Sequence, residues 1–249
     1  MHKFFVPKER IFDNRVAIQG EDVKHILKVL RLQEGAVISI NNCEGHEYIG
    51  EIISTDKKEV LVNIREEVSL NNESPIDLYL FQGLPKSSKM DLITQKATEL
   101  GVKSITPVIT ERVVVKKEIG EFKKLDRWQR IALEACKQSK RSLIPTINSP
   151  IEFEELLELL KNMDLIVVPY ENQEEKGIKN VIQNLHREVK KVGIVIGPEG
   201  GLERKEIEKL KKLDAHIVTL GPRILRTETA GFICTSLIMY EIGDLGGKI

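Results

Sequence analysis

The first 70 residues alternate between hydrophobic and polar positions in short runs that are separated by glycines and charged turns. Such runs are typical of strands whose two faces differ in burial. They predict strands over residues 3–6, 15–18, 36–41, 48–55 and 59–67. Residues 21–30 differ, because Val23, Ile26, Leu27 and Leu30 recur at helical spacing and predict one helix. This part of the chain is predicted to form a small β-barrel.

A polar segment that ends at Pro75 separates this region from a longer one with a different pattern. We place the domain boundary there and predict domains over residues 1–72 and 73–249. Apolar runs typical of strands follow at residues 76–84, 105–109, 165–169, 192–196 and 216–220. Between them, periodicity and capping signals predict helices from Ser88 to Gly101, around Trp128 to Cys136, over 150–163, 177–190 and 203–213, and from about 228. This alternation predicts an α/β domain whose parallel sheet is covered by helices on both faces.

Two glycine-containing segments near the C-terminus each follow an apolar strand directly. The first is GPEGG at residues 197–201, and the second is LGPRILRTETA at residues 220–230. Ligands in open α/β sheets usually bind at the carboxyl ends of strands, where glycine lets them approach the backbone. The second segment also holds more polar side chains than a helix start needs. We therefore predict a ligand site at these two loops.

Composition and charge narrow the function classes. The formal net charge is zero, which argues against a protein that simply coats nucleic acid. Basic residues outnumber acidic ones between positions 86 and 141, which fits either a polyanion-binding surface or a solvated face. The three cysteines are far apart and the histidines are scattered, so no disulfide framework and no metal site is predicted. No apolar run is long enough to span a bilayer and the N-terminus lacks a signal-peptide pattern, so we expect a cytoplasmic protein without a membrane partner.

The loop sequences do not match the common nucleotide-binding motifs. GPEGG is neither the dinucleotide fingerprint nor the P-loop, and it lies near the end of its domain rather than after the first strand. The two loops suit a ligand with a flat adenine and few or no phosphates, which backbone groups and an apolar wall would hold.

Five segments in order along the chain resemble the RsmE family of ribosomal RNA small subunit methyltransferases, which belongs to the SPOUT superfamily. They are HILKVLRL at 25–32, QKATELG at 95–101, RWQRIA at 127–132, IGPEGG at 196–201 and LGPRILRTETA at 220–230. The resemblance implies an N-terminal PUA-like barrel that binds RNA and a C-terminal trefoil-knotted domain that uses S-adenosylmethionine. It also implies a homodimer with the cofactor pocket near the dimer interface. The reaction it implies is methylation of uridine N3 in 16S ribosomal RNA within the small ribosomal subunit.

On this basis, cofactor contacts are expected at the end of one strand and in both loops. The expected residues are Val168, Pro169, Tyr170, Ile196, Gly197, Pro198, Gly200, Gly201, Leu220, Gly221, Ile224, Leu225, Thr229 and Ala230. Ile224 and Leu225 have core packing as an alternative role. The proton on uridine N3 must leave for attack to occur, so a general base or a group that stabilises the imide anion is expected. Arg226 ranks first as a catalytic or RNA-positioning residue; Glu199 and Glu228 follow, with helix capping or pairing with an arginine as their alternatives.

The expected RNA contacts are basic side chains from both domains. They are Arg10, Lys28 and Arg31 in the barrel, and Lys86, Lys89, Arg112, Lys140, Arg141 and Arg223 in the second domain. Phosphate contacts from such residues supply affinity and salt dependence but no sequence choice. Aromatic residues make up only 5% of the chain, so a platform for base stacking is not expected.

Two other functions stay open at this point. The chain could be a non-catalytic ribosome-assembly factor that keeps the fold and binds RNA through the barrel, which a measurement of cofactor binding would distinguish. It could also be a SPOUT methyltransferase that acts on tRNA, which a comparison of substrates would settle.

Overall fold

The computed structural model describes residues 1–68, 72–86, 89–113, 121–173 and 175–247, and the chain divides into two compact units. The first unit comprises Met1–Glu73 and Cys136–Ile144, and the second comprises Ser74–Ala135 and Pro145–Ile249. Ser88, which we expected to cap a helix, lies outside the described residues. Within the described ranges, no helix is long and apolar enough to cross a membrane.

The first unit is a curled six-stranded sheet with the strand order β1-β4-β5-β6-β3-β2. Its strands are β1 (Lys3–Phe5), β2 (Ile11–Phe12), β3 (Arg15–Gln19), β4 (Val37–Asn41), β5 (Glu47–Thr55) and β6 (Glu59–Val68). All neighbouring pairs are antiparallel except β1 with β4. Alternate residues such as Ile18, Ile38 and Val62 are fully buried in one core, so the predicted small β-barrel domain is confirmed in the form of a curled sheet. The helix predicted over 21–30 is instead α1 (Glu21–Lys24) followed by a π-helical turn at His25–Val29.

Glu73 fixes the segment 136–144 within the first unit. Its Oε1 accepts hydrogen bonds from the backbone N–H groups of Ser142 (2.8 Å) and Leu143 (2.9 Å). Its Oε2 accepts a 2.7 Å bond from Nη2 of Arg141, whose side chain is only 5% exposed. A buried guanidinium needs such a partner, because an uncompensated charge in the interior is costly.

Replacing Glu73 by alanine should therefore lower the free energy of unfolding by about 3 kcal/mol, since it takes the carboxylate away from a buried guanidinium and two amides. Denaturant unfolding of the full chain measures this. Glu66→Ala is the control, because Glu66 is exposed on β6. Equal unfolding midpoints for the two variants would contradict the structural role given to Glu73.

The second unit is built on a seven-stranded parallel sheet with the order β10-β8-β7-β12-β11-β13, and β9 also pairs with β8. Its strands are β7 (Asp77–Gly83), β8 (Ser104–Ile109), β9 (Thr146–Ile147), β10 (Ile151–Glu152), β11 (Leu165–Pro169), β12 (Lys191–Ile196) and β13 (His216–Val218). Its helices are α2 (Lys89–Glu99), α3 (Glu121–Ser139), α4 (Phe153–Leu160), α5 (Ile178–Gln183), α6 (Arg204–Lys211) and α7 (Thr227–Ile242), and the last residues of α3 belong to the first unit.

Helices cover both faces of this sheet. On one face, α4 and α6 pack over Phe81, Val168 and Val195. On the other face, α7 lies against β7 and β12 and contacts α2 and α5. The expected α/β architecture is confirmed, and it brings the carboxyl ends of β11, β12 and β13 to one edge of the sheet.

Two helices differ from the predicted ones for identifiable reasons. The helix predicted over 150–163 begins only at Phe153, because Ile151 and Glu152 pair with β8 and sheet hydrogen bonds outweigh the local capping signal. The helix predicted over 177–190 ends at Gln183. Beyond it, the Asp164 carboxylate accepts hydrogen bonds from the backbone N–H groups of residues 190 and 191, which aligns this segment with β12.

Candidate active site

A cleft of about 1020 Å³ lies in the second unit at the carboxyl ends of β11, β12 and β13. The segments that follow these three strands form its walls, and Lys89 at the start of α2 adds one more side chain. Pockets for small molecules and cofactors typically measure about 300–1,000 Å³. The cleft is therefore large enough for a nucleoside-sized cofactor together with part of a second reactant.

Residues 197–201, here called the glycine loop, need glycine because backbone packs against backbone. A Cβ on Gly83, the last residue of β7, would lie 2.5 Å from the backbone nitrogen of Pro198. A Cβ on Gly197 would lie 3.0 Å from the carbonyl carbon of Gly201, and Gly201 itself has a φ of +71°. The loop can fold back on itself and against the sheet only because these side chains are missing.

A chain of hydrogen bonds joins the glycine loop to the start of α7, which directly follows the second loop, residues 219–226. The Thr227 hydroxyl, at the start of α7, donates a 2.6 Å bond to the carbonyl oxygen of Gly197. The Gln82 side-chain amide donates a 2.8 Å bond to the same hydroxyl. The ends of β7 and β12 and the start of α7 are thereby held together beneath the cleft.

Lys89, Glu199 and Glu228 form a group of charges at the side of the cleft, here called the ionic cluster. The Lys89 ammonium lies 3.1 Å from Oε1 of Glu199 and 3.2 Å from Oε2 of Glu228. The bond to Glu199 contributes most to raising the pKa of Lys89. Partial burial alone would raise the pKa of Glu199, but hydrogen bonds from its own backbone, from Lys89 and from the Lys86 backbone N–H outweigh burial and lower it. Glu199 is therefore ionised at neutral pH.

Arg112 braces the glycine loop from outside the cleft. Its Nη1 donates a 2.7 Å hydrogen bond to the carbonyl oxygen of Gly200, and its Nε donates a 2.7 Å bond to Oε1 of Glu203. This contact raises the pKa of Arg112 and lowers that of the Glu203 carboxyl. The guanidinium is thus already engaged by groups of its own unit.

Arg223 and Arg226 project from the second loop into the cleft and are both exposed. Arg226 is the N-cap residue of α7, a helix of 16 residues. Among the described residues, neither guanidinium has a hydrogen bond or an ion pair. Two uncommitted cations beside the positive end of a helix dipole can stabilise negative charge that develops or binds in the cleft.

Comparison with known proteins identifies the family. Residues 72–239 match the family model for an RNA methyltransferase domain, and residues 18–65 match the model for an RNA methyltransferase PUA domain. A Bacillus subtilis protein, ribosomal RNA small subunit methyltransferase E, is 38% identical over 235 residues, which is 93% of this chain and 92% of the relative. The chain belongs to the ribosomal RNA small subunit methyltransferase E family. A family member from Aquifex aeolicus is 33% identical, with 96% of this chain and 99% of the relative covered.

Solved structures from this family and from a related protein share the fold. The methyltransferase E of Neisseria gonorrhoeae, solved bound to S-adenosyl methionine, is 30% identical, with a TM-score of 0.83 and 98% of this chain and 99% of that chain covered. A putative methyltransferase from Legionella pneumophila, solved in complex with its cofactor SAM, is 31% identical, with a TM-score of 0.83 and 98% of both chains covered.

Most positions at which the family resemblance predicted cofactor contacts line the cleft. These are Pro169, Tyr170, Ile196, Gly197, Pro198, Gly200, Gly201, Leu220, Gly221, Ile224, Leu225 and Ala230. Val168 and Thr229 do not line it, and Val168 is fully buried in the core. Ile224 is 89% exposed, so core packing is wrong as its alternative role.

The three residues with a predicted catalytic role separate into two groups. Arg226 and Glu199 line the cleft. Glu228 does not line the cleft. It is only 8% exposed, and its carboxylate pairs with the ammonium of Lys89. The alternative for both glutamates was helix capping or pairing with an arginine; the structure instead pairs both with a lysine, Lys89.

Sequence reasoning missed several residues that line the cleft. They are Glu171, Gln173, Leu202, Thr219, Pro222 and Thr227. Glu171 and Gln173 lie two and four residues beyond the end of β11, so a broader application of the strand-end rule would have included them. Thr227 lay within the predicted loop but carried no sign of its bond to Gly197, because that contact depends on the tertiary fold.

The basic residues predicted to bind RNA are placed in different environments. Arg10, Lys28, Arg31, Lys86 and Lys140 are exposed. Arg223 and Lys89 line the cleft, and Arg112 holds the glycine loop. Arg141 is only 4% exposed and bonds Glu73, so we leave it out of the proposed RNA contacts.

Proposed function

We propose that this chain is an S-adenosylmethionine-dependent methyltransferase that methylates N3 of a specific uridine in 16S ribosomal RNA of the small ribosomal subunit. The observation that carries the proposal is the cleft between the glycine loop and the second loop, at the ends of three parallel strands. It occurs in a chain 30% identical to a family member that was solved with S-adenosyl methionine bound.

The residues of the cleft fit this cofactor. Gly221, with a φ of +116° and no atom within 4 Å of an added Cβ, leaves its backbone open to a ligand without a side chain in the way. Ile196, Leu220 and Leu225 supply apolar wall for an adenine ring. S-adenosylmethionine, when bound, supplies a methyl group on a sulfonium sulfur, which a nucleophile displaces in line.

The chain's own residues would then align the reactants and control one proton. Holding two reactants in a near-attack arrangement accounts for several kcal/mol of a typical enzymatic barrier, about 7–11 in the best cases. We assign Arg226 to stabilise the imide anion as the proton leaves N3, and the ionised carboxylate of Glu199 to accept that proton. A carboxylate of lowered pKa is a weak base, so its action depends on Arg226 making N3 more acidic. Glu228, buried beside Lys89, has no contact with uracil in this scheme.

We propose that RNA is bound through phosphate contacts and recognised by its folded shape. Arg10, Lys28 and Arg31 on the first unit are exposed and suited to such contacts. Shape recognition agrees with a target base that must be presented outside a helical stack. The assembled small subunit in the cytoplasm is accordingly the preferred substrate, ahead of free rRNA.

We further propose that the protein is a homodimer that pairs through α7 of the second unit. Ile233, Leu237 and Tyr240 recur at helical spacing on α7 and are 39%, 38% and 66% exposed. Leu92 of α2, the neighbouring helix, is 43% exposed as well. A second copy of this apolar stripe would cover it in a symmetric contact.

The variant L237E should dissociate the dimer, with a dissociation constant at least about 30-fold weaker, because a charge would enter the apolar core of the contact. Sedimentation equilibrium of the full chain measures this. L159E is the matched control, since Leu159 on α4 is a leucine of similar exposure, 43%, outside the stripe. A monomeric wild type would contradict this assembly. So would equal dimer dissociation constants for L237E and L159E.

Transfer of a labelled methyl group to alternative acceptors tests the reaction. The protein is incubated with methyl-labelled S-adenosylmethionine and with small ribosomal subunits, free 16S rRNA or tRNA from a strain that lacks the native gene. Label in the small subunit is expected. Label in tRNA would overturn the substrate, and cofactor binding without label in any acceptor would favour an assembly factor.

A further inference from the structure

We propose that Lys89 is a positioning residue that holds the glycine loop against the first turn of α7, and that it is not an RNA contact. This inference rests on the proposed function, because the glycine loop and α7 border the proposed cofactor site. It goes beyond that function by assigning the ionic cluster to cofactor affinity.

Lys89 links three elements that are distant in sequence. It is the first residue of α2, Glu199 lies in the glycine loop, and Glu228 is the second residue of α7. Its ammonium lies within 3.2 Å of an oxygen of each carboxylate. Glu199 also accepts a 3.1 Å hydrogen bond from the backbone N–H of Lys86, so the glycine loop is attached to the segment that precedes α2 as well as to α2 itself.

Charge and geometry argue against a phosphate contact. The side chains of Lys89, Glu199 and Glu228 are 29%, 30% and 11% exposed, and the ammonium already lies beside two carboxylates of its own unit. A phosphate would have to compete with two carboxylates at hydrogen-bond distance. It would also bring further negative charge to a cluster whose two carboxylates and one ammonium already carry a net charge of −1.

Removing the ammonium would leave the Glu199 and Glu228 carboxylates without the cation that lies within 3.2 Å of an oxygen of each, and the Glu228 carboxylate is nearly buried. Breaking an enclosed ion pair on one side costs more than the pair contributes, because the remaining charge is uncompensated. The repulsion acts between the glycine loop and the start of α7, and so would widen the cleft. A second change, Glu228→Gln, restores the net charge of −1 and removes one of the two uncompensated carboxylates. The two changes should therefore be strongly non-additive.

The test is a double-mutant cycle on the full-length chain with K89M, E228Q and K89M/E228Q, together with the conservative variant K89R. Calorimetric titration with S-adenosylmethionine and thermal unfolding are measured for each. We expect K89M to bind the cofactor about tenfold more weakly and K89M/E228Q to regain most of this loss. K89R should stay within about threefold of wild type, because arginine keeps the charge. The thermal unfolding midpoint should also be lower in K89M than in wild type, and most of this decrease should be regained in K89M/E228Q.

Two results would overturn the proposal. One is a K89M protein with unchanged cofactor affinity whose binding to rRNA is weaker and has a shallower salt dependence by about one phosphate contact. The other is strict additivity of the thermal midpoints, which would mean that Lys89 and Glu228 do not interact. A wild type that does not bind S-adenosylmethionine would instead overturn the proposed function, while the double-mutant cycle on the thermal midpoints would still decide the role of Lys89.

If K89M does not fold, recovery of a folded protein in K89M/E228Q supports the proposal and failure of that variant contradicts it.

Discussion

The variant R226A is expected to bind S-adenosylmethionine as wild type does and to transfer methyl groups about 100- to 1,000-fold more slowly, the range found when one preorganised donor to a developing anion is removed. Arg226 lines the cleft, caps α7 and has no ion pair within the described part of the chain, so its charge is available to the substrate. The loss should fall on kcat, because the imide anion exists only as the reaction proceeds.

Single-turnover methylation of small subunits, with calorimetric titration of the cofactor, measures both quantities. R204A is the matched control, because Arg204 is also exposed at the start of a helix, α6, but does not line the cleft. An R226A protein with wild-type turnover would remove Arg226 from the chemistry. Equal losses in R204A and R226A would point to a general effect of surface charge on RNA binding.

The variant G83A is expected to weaken S-adenosylmethionine binding at least about tenfold and to lower the free energy of unfolding by about 1–3 kcal/mol, the usual cost of overpacking. Gly83 does not line the cleft, so it cannot act by touching the ligand. An added Cβ would lie 2.5 Å from the Pro198 nitrogen and 2.8 Å from the Gly197 carbonyl carbon, and neither backbone atom can move without moving the glycine loop.

G177A is the control for this variant. Gly177 is the N-cap of α5 in the same unit, with a φ of −89° and no atom within 4 Å of an added Cβ. Cofactor titration and denaturant unfolding of both variants separate loss of binding from loss of stability. Unchanged cofactor affinity in G83A would mean that the loop's fit against β7 is irrelevant to the ligand.

Local hydrophobic patterns predicted most of the fold, because each pattern records which residues of its own strand or helix are buried. The apolar runs at β11 and β12 and the periodicity of α7 are of this kind. The strand β10 was missed because its pairing with β8 connects positions more than 40 residues apart, and no local signal reports that bond. The end of the segment predicted as helix 177–190 is likewise set by a distant residue, since Asp164 accepts hydrogen bonds from the amides of residues 190 and 191, where β12 begins.

The two loops of the site could be predicted from the sequence, because they depend on backbone geometry. The partners of the charged side chains could not, because they depend on the tertiary fold. Strand ends and glycines identified both loops, because such corners recur in α/β folds for steric reasons. The partners of the charged residues were not predictable. Lys89 and Arg112 read as basic surface residues, yet the fold places carboxylates and a carbonyl oxygen beside them that come from residues about 90 or more positions away.

Identification of the modified nucleoside decides whether this chain methylates N3 of a uridine in 16S rRNA. Small ribosomal subunits from a strain that lacks the native gene are treated with the protein and S-adenosylmethionine, and the 16S rRNA is digested and mapped by mass spectrometry. We expect N3-methyluridine at a single position, present with wild type and R204A and nearly absent with R226A. A methyl group on another atom or another RNA, or N3-methyluridine formed equally by R226A, would contradict it.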